Sequence, residues 1–413
     1  MRTIAYRLAL VVFFTLPFEN LVHLSGAGRV SKLVGLLVAG FWLLTIAATG
    51  EFRRPRVAHL VALLFVVWVG LSLFWTVDVP ATRARFITYV QLLGLMFVVW
   101  ESVTSRARVR GALQAYVLGA WISVAMILFT YATLGSDATT HGRVTTGTFN
   151  PNDVGLMLAI GVPVAWYLVS ADGARRRRLL WGVNAAYIPA SVVAIALTAS
   201  RAALAGAALG IAYVAISLLR RRPAALVPAV ASLVVLAIAV VPLLPERGLG
   251  RVRGTATDVT AGGFTGRVPL WREGMDLFRA HPFGGIGGGA FREGALESRK
   301  VAHNLVVALL AEVGLVGFTL FALLMILVAV SAWRQPGGLG GMWTTVLLCW
   351  VLAAMLHNWE YRKQTWFFFA LILAAESLPV TGPRDGGTPD PGSAPARAGP
   401  APETGVLVAR GRG

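Results

Sequence analysis

The sequence predicts an all-α, polytopic integral membrane protein with about twelve transmembrane helices and a large external loop that contains short helices. Three observations support this prediction. Hydrophobic residues make up 56% of the 413 residues and only 14% are charged, whereas about a quarter of the residues in soluble domains are charged. Apolar runs long enough to cross a membrane as helices recur along the chain, and arginines cluster in alternate connections between them. A soluble enzyme, a secreted disulfide scaffold and a disordered protein are excluded as descriptions of the whole chain.

Each predicted span is an apolar run bounded by polar or basic residues. The first run lacks a convincing cleavage site, so it is interpreted as a span and not as a removed signal peptide. The runs lie at 6–24, 31–49, 57–76, 85–103, 111–134, 152–170, 179–199, 202–219, 224–244, 304–331, 342–358 and 364–380.

The arginine clusters set the predicted orientation, because basic loops are retained on the cytoplasmic side. Both chain ends are then cytoplasmic. The clusters lie at 53–56, 106–110, 175–178 and 220–222, and the external loops are those at 25–30, 77–84, 135–151, 200–201, 245–303 and 357–363. These clusters account for part of the formal net charge of +18. Binding of an anionic substrate is the more specific explanation for the excess of basic residues. No basic stripe lies on a soluble module, so nucleic acid is not an expected partner.

The chain divides into four predicted parts. Spans one to nine occupy 1–244, an external loop with candidate active-site motifs occupies 245–303, and spans ten to twelve occupy 304–381. The remainder, 382–413, is rich in Pro, Gly, Ala and Ser and is predicted to be a disordered cytoplasmic tail. The single cysteine, Cys349, excludes a disulfide within the chain and a cysteine-based metal site.

Within the external loop, Val268 to Ala280 is predicted to form an amphipathic helix that ends at His281-Pro282. The helix either lies in the membrane interface or packs on the spans, and the sequence favours neither. Arg272 and Asp276 are spaced for an ion pair one turn apart. The apolar stripe consists of Val268, Trp271, Met275 and Phe278.

A glycine-rich run from Gly284 to Gly289 follows this helix. Such runs can bind phosphates through backbone N–H groups. The external location excludes a nucleotide, and a tight turn is the favoured interpretation. Contact with a pyrophosphate group is the alternative.

His303 and Asn304 open the tenth span, and Asn304 is the predicted N-cap. Glu312 follows His303 by nine residues, or about 900° around a helix, so the two side chains point in opposite directions and form no dyad. A charge within a span is costly, so Glu312 needs a partner elsewhere in the bundle.

Further polar residues share the predicted external face, namely Arg201, Arg143 and the segments 150–153 and 357–363. Converging arginines suit an anionic head group, and interfacial snorkelling is the alternative for each of them. The external loops contain no Asp-x-Asp, no His-Glu-x-x-His and no close carboxylate pair, so we expect chemistry that needs no metal.

Four motifs occur in order between about 200 and 320. They are Thr198-Ala199-Ser200-Arg201-Ala202, Gly266-Arg267 followed by Trp271, His281-Pro282-Phe283-Gly284 with Gly285-Ile286-Gly287, and Ala302-His303-Asn304 followed by Glu312-Val313-Gly314-Leu315-Val316-Gly317. Together they resemble the O-antigen ligase and polymerase-like family of bacterial membrane glycosyltransferases. The last two motifs, in this order and before a span, make the resemblance fairly specific.

The resemblance implies an undecaprenyl-pyrophosphate-linked glycan donor and an acceptor that is a glycan, a lipid or a protein. It implies no cofactor, a location in the bacterial inner membrane among its lipids, and an active site on the external face. The family's functional residues carry over onto Arg201, Arg267 and His303, which are expected to be catalytic. The residues expected to bind substrate are Arg143, Trp271, Arg362 and Lys363.

The chemistry of these residue types agrees with that expectation. A sugar linked to pyrophosphate already carries a good leaving group, which arginine forks stabilise, and a neutral histidine can receive the acceptor proton. Direct displacement would invert the anomeric carbon. The expected activity is transfer to an acceptor sugar such as lipid A-core. The alternatives are a surface-polysaccharide polymerase, a protein O-glycosyltransferase, a polytopic transporter or a scaffold. A transporter would place its ionisable groups near the membrane midplane, where the sequence offers only Glu312 and the Glu19/His23 pair.

Overall fold

The computed structural model describes residues 2–19, 23–24, 28–134, 144–145, 150–171, 177–240, 242, 267–379 and 411. Most of the predicted tail and the first part of the external loop therefore lie outside the described residues. Residues Met1–Leu378 form one compact unit. The predicted all-α class is confirmed. The described strands are a two-residue antiparallel pair, β1 (His23–Leu24) and β2 (Gly28–Arg29), in which His23 lies opposite Arg29 and Leu24 opposite Gly28.

Within the described residues, each predicted apolar run contains a helix, and two further helices lie in the external loop. Helices are expected there because lipid offers no partners for backbone N–H and C=O groups. In chain order they are α1 (Arg2–Thr15), α2 (Val30–Thr49), α3 (Val57–Leu71), α4 (Val79–Ser102), α5 (Arg106–Leu134), α6 (Pro151–Ser170), α7 (Arg178–Leu197), α8 (Arg201–Arg221), α9 (Leu226–Val240), α10 (Arg267–Ala280), α11 (Phe291–Gly294), α12 (Leu305–Trp333), α13 (Gly337–Leu356) and α14 (Lys363–Glu376). Short 3-10 helices lie at Leu16–Phe18, Ser72–Phe74 and Pro223–Ala225.

Eight helices in the described part of the chain are long and apolar enough to cross a membrane. They are α4 to α8, α12, α13, and α3 with its 3-10 extension. Shorter apolar helices lie at Thr3–Phe18, Val34–Thr49 and Pro223–Val235. The total of twelve spans stays a prediction.

The short helix α14 lies at the centre of the bundle, and every residue from Gln364 to Ala375 is buried. Its aromatic rings pack against several neighbouring helices. The ring of Phe367 lies 4.8 Å from that of Phe13 on α1, and the ring of Trp366 lies 6.0 Å from that of Tyr89 on α4. This packing fixes the N-terminal end of α14, where the preceding segment 357–362 connects it to α13.

Small residues allow α6 and α8 to approach closely, as is common between helices in membranes. A Cβ atom on Gly155 of α6 would lie 2.5 Å from the Cβ of Ala203 on α8. This contact brings the first turns of the two helices, which carry Asp153 and Arg201, to the same end of the bundle.

The connections between helices gather at two ends. At the arginine end, Arg53 donates to the Trp100 carbonyl at 2.6 Å and to Ser377 Oγ at 2.5 Å. Arg221 likewise donates to the carbonyl of Ser170 at 3.3 Å. The loops predicted to be cytoplasmic thus contact neighbouring helix ends there. The opposite end, here called the site end, carries the segments 72–82, 150–153, 198–201, 267–304 and 357–363. The orientation across a membrane stays a prediction.

Candidate active site

The three residues expected to be catalytic come from distant parts of the chain and lie together at the site end. Arg201 is the first residue of α8, Arg267 is the first of α10, and His303 precedes α12. Burial and then the neighbouring Arg201 lower the pKa of Arg267. Burial and then Arg267 lower the pKa of His303. Arg201 thus acts on Arg267, and Arg267 acts on His303, so the two guanidinium groups and the imidazole lie in one electrostatic neighbourhood.

The backbone beside two of these residues adopts an uncommon conformation. Ala199 has a φ of 46° and His303 a φ of 49°, both in the left-handed region, which costs a non-glycine residue about 1–3 kcal/mol. The next helix is capped in each case: Ser200 Oγ accepts a backbone N–H at 3.3 Å, and Asn304 Oδ1 accepts one at 2.9 Å. The predicted N-cap role of Asn304 is confirmed. The caps and the strained residues together fix how Arg201 and His303 enter the site.

Positive charge concentrates where α8 and α10 begin. The N-terminus of a helix carries a partial positive charge, and here each bears an arginine as its first residue. Burial, and after it repulsion from Arg201, lowers the pKa of Arg267. An anion between Arg201 and Arg267 would remove that repulsion, so the arrangement suits a phosphate-bearing ligand.

Asp153 is a candidate site residue that the sequence did not assign. It is buried near the start of α6; its Oδ1 accepts the indole N–H of Trp359 at 2.9 Å and its Oδ2 accepts Arg362 Nη2 at 2.6 Å. Its negative charge raises the pKa of both His303 and His357, against the larger lowering that burial causes. Asp153 therefore anchors the segment 357–362 and faces both imidazoles.

His357 is the second unassigned candidate. Its ring centroid lies 5.8 Å from that of His303, and the two rings are nearly perpendicular at 88°. The pKa of His357 is lowered to about 4. Burial is the main cause, and the nearby Arg267, His303 and Arg362 lower it further. Both imidazoles are therefore neutral at pH 7. The only sequence signal was that His357 lies on the same predicted face as the long loop.

Two of the residues expected to bind substrate form internal ion pairs. Arg362 Nη2 lies 2.6 Å from Asp153 Oδ2, and Lys363 Nζ lies 2.6 Å from Glu19 Oε2. Arg362 still borders the imidazole pair, because its charge contributes to the low pKa of His357. Lys363 ties the start of α14 to the end of the first helical segment.

The other two residues of that set are Trp271 and Arg143. The indole N–H of Trp271 donates to the carbonyl of Ala302 at 3.1 Å, which fixes α10 to the residue before His303. Arg143 lies outside the described residues. The residue after it, Val144, donates its backbone N–H to the carbonyl of Leu197 at 3.1 Å.

Glu312 finds its partners away from His303, as the helical spacing predicts. Its Oε2 accepts the backbone N–H of Gly289 at 2.7 Å and lies 3.9 Å from Arg85 Nη1. Arg85 also lies 3.4 Å from Glu360 Oε1 and stacks 3.8 Å from the centre of the Tyr361 ring. Burial raises the pKa of Glu360 to about 7, although Arg85 opposes the shift. This Arg85 cluster was not predicted, because Arg85 and Glu360 are far apart in sequence.

The glycine-rich run forms a tight turn that docks on α12, as the favoured interpretation expected. Helix α12 is broken at Gly314, where φ is 65° and ψ is −169°. The backbone N–H groups of Ile286 and Gly287 donate to the carbonyls of Ala311 and Glu312, each at 2.9 Å. The N–H of Gly288 donates to Ser72 Oγ at 3.1 Å, and that of Gly289 donates to the Glu312 carboxylate at 2.7 Å. These N–H groups are used inside the protein, so they do not form a pyrophosphate cradle.

Leu270 and Gly274 of α10 are buried, and Trp271 and Leu277 of the same helix pack against a buried cluster that includes Val307 of α12. A Cβ atom on Gly274 would lie 2.3 Å from the side chain of Val307. The packing interpretation is thus supported. The predicted pair of Asp276 with Arg272 is wrong: Asp276 pairs with Arg279, at 2.6 Å, because residues three apart also face each other on a helix. Within the described residues, no group of three or more His, Cys, Asp or Glu side chains is placed to hold a metal ion.

Comparison with known proteins gives one family. The family model described as O-antigen ligase matches residues 185–322, about a third of the chain. The matched region contains Arg201, Arg267 and His303. No match to a curated protein was found. Residues 185–322 are thus similar to the O-antigen ligase family, and this match supports the resemblance that the motifs predicted.

Proposed function

We propose that the protein is a membrane glycosyltransferase that transfers a glycan from an undecaprenyl-pyrophosphate donor to an acceptor sugar such as lipid A-core. The proposed reaction needs no metal, inverts the anomeric carbon and takes place on the external face of the inner membrane. The observation that supports it is the convergence of Arg201, Arg267 and His303 inside the region that matches the O-antigen ligase family.

Arg201 and Arg267 are assigned to the pyrophosphate of the donor. Negative charge develops on this group as the bond from the anomeric carbon breaks. Guanidinium forks bind phosphate oxygens at two points, and their effect is largest in a partly buried site. Burial and the neighbouring Arg201 both disfavour the charge of Arg267, and a bound anion would favour it.

His303 is assigned to the acceptor. As the acceptor oxygen bonds to the anomeric carbon, its proton passes to the neutral imidazole, and the pyrophosphate leaves with the electron pair. Burial and Arg267 keep this imidazole neutral at physiological pH, which is the form required of a general base.

The direct test is glycan transfer by the purified full-length protein. It is supplied with an undecaprenyl-pyrophosphate-linked glycan and an acceptor-containing membrane extract of its host, with and without EDTA. We expect transfer in both conditions and an inverted linkage in the product. Loss of transfer on chelation, restored by Mg²⁺ or Mn²⁺, would disprove the metal-free mechanism. No transfer in either condition would disprove the function.

A polymerase or a protein O-glycosyltransferase would use the same site, and the product distinguishes them. Polymerisation lengthens the lipid-linked glycan, and protein glycosylation yields a protease-sensitive product. Transport is the remaining alternative, and the buried Arg85 cluster is the observation that favours it. Proteoliposomes that move labelled donor without forming a new glycosidic bond would identify a transporter.

A further inference from the structure

The site contains two imidazoles, although the motifs supplied only one. His303 is half-buried on the strained turn before α12, and His357 is 6% exposed at the end of α13. The rings meet edge to face with centroids 5.8 Å apart. His303 precedes α12 and His357 follows α13, so the two rings come into contact only when the chain folds.

Neither imidazole forms a side-chain hydrogen bond to another described residue. An imidazole has two nitrogens, and in the neutral ring one donates while the other accepts. The buried side-chain atoms without partners include Asn358 Oδ1 and Arg362 Nε, but no ring nitrogen of His303 or His357. Each of these ring nitrogens therefore keeps some accessible surface through which a ligand can contact it.

The position of His357 is fixed by its own segment. Asp153 binds both Trp359 and Arg362, which follow His357 closely in sequence. The backbone N–H of His357 donates to the carbonyl of Ala353 at 2.8 Å. A largely buried ring whose segment is held this firmly is suited to binding a ligand in one orientation.

We propose that His357 is a second residue that contacts the acceptor, and that the imidazole pair selects a saccharide with two adjacent hydroxyls. His303 binds the hydroxyl that attacks, and His357 binds the neighbouring one. Adjacent hydroxyls of a sugar ring can each reach one imidazole, whereas a serine or threonine side chain presents a single hydroxyl. This inference rests on the proposed glycosyltransferase function and decides between its glycan and protein acceptors.

The two histidines differ in what they do with protons. His303 takes the proton of the attacking hydroxyl while the new bond to the anomeric carbon forms and the bond to the pyrophosphate breaks. It later releases this proton to water. His357 only exchanges hydrogen bonds with the second hydroxyl, so its protonation does not change during the reaction.

The first test alters the acceptor and leaves the protein intact. A host membrane extract serves as the acceptor source in three portions: untreated, oxidised with periodate and reduced, or digested with protease. Periodate cleaves the carbon–carbon bond between adjacent hydroxyls. We expect transfer to the untreated and protease-treated portions and none to the oxidised one. Transfer that survives periodate but not protease would overturn the inference and leave the glycosyltransferase function intact. No transfer to the untreated portion would overturn both.

The second test separates hydrogen bonding from proton transfer. His357→Ala should raise the KM for the acceptor extract about tenfold, the effect of one lost hydrogen bond, and leave the KM for the donor unchanged. His357→Gln should recover most of this loss, because the amide offers a donor and an acceptor. His303→Gln should show no such recovery, and its rate should fall by about 10²- to 10⁴-fold. An unchanged acceptor KM in His357→Ala, or equal damage in the Gln and Ala variants, would overturn the role.

A matched control is His59→Gln, which removes a buried imidazole at the arginine end. It should leave both KM values unchanged. Melting temperatures are measured for all variants. If His357→Ala does not fold, the Gln variant and the periodate experiment still decide the outcome.

Discussion

Arg267 lies on the same helix as Arg279, and the two arginines have opposite surroundings. Arg267 is partly buried beside Arg201, while Arg279 is exposed and paired with Asp276. Arg201→Lys and Arg267→Lys should each lower transfer by about 30- to 1000-fold, because an ammonium group cannot form the planar two-point contact. The measurement is the initial rate at equal protein expression, with Arg279→Lys as control. Wild-type rates in both site variants would exclude the pyrophosphate role.

The protonation of His303 predicts the acid limb of the pH profile. A base must be neutral to act, and burial and Arg267 lower its pKa below the ordinary value. Activity should therefore stay level as the pH falls to about 6.5, the ordinary histidine pKa, and decline only below it. The profile of kcat/KM for the acceptor measures this directly. A decline centred above pH 6.5 would contradict the assignment.

Replacement of His303 tests the same role independently of pH. His303→Gln keeps the size and hydrogen bonding of the side chain but cannot take up the proton. Its rate should fall by about 10²- to 10⁴-fold, while binding of the donor persists. Near-normal turnover in this variant would leave His303 with an orienting role only.

At the scale of elements, the docking of the glycine-rich turn on the broken helix α12 depends on two glycines. Gly285 and Gly314 both have a φ of 65°, and a Cβ on either would lie 2.2–2.5 Å from backbone atoms of the other element. Gly285→Ala and Gly314→Ala should lower the melting temperature and abolish transfer, since neither backbone can move aside. Gly182→Ala on α7 is the control, because no atom lies within 4 Å of its added Cβ. Wild-type melting of both site variants would show that the docking does not stabilise the protein.

The sequence predicted some features of the glycine-rich turn and its neighbouring helices and missed others. It located the turn, the cap at Asn304 and the end of α10 at His281-Pro282, because each is set by local chemistry. It did not predict the break at Gly314, since the motif there resembles an ordinary apolar helix. The carbonyls released by that break are what the turn binds, and their exposure becomes visible only when the two segments meet.

At the scale of the whole molecule, labelling tests the orientation. The native Cys349 is buried, so new cysteines report on their own positions. Glu297→Cys at the site end should react with a membrane-impermeant maleimide in cells with a permeabilised outer membrane. Arg222→Cys at the arginine end should react only after lysis. The reverse pattern would place the site in the cytoplasm and exclude the proposed donor geometry.

The overall helical layout could be predicted from apolar length and loop charge alone, and the structure has a helix in each predicted run. The candidate site could be predicted only in part. Arg201, Arg267 and His303 lie in local motifs, whereas Asp153 and His357 are separated by about 200 residues and share no motif. Their proximity depends on how α6 packs beside α8 and on how the bundle encloses α14, and hydropathy contains no information about either contact.

The docking of the glycine-rich turn also sets an order of assembly during synthesis. The turn binds Ser72, made long before it, and Ala311 and Glu312, made after it. The site therefore cannot be complete when the segment 267–304 has just been synthesised. It forms only once the tenth apolar segment has been made and meets the connection between α3 and α4. A nascent chain arrested before Glu312 carries all the residues of the turn but lacks the surface on which it closes, so activity appears late in biogenesis.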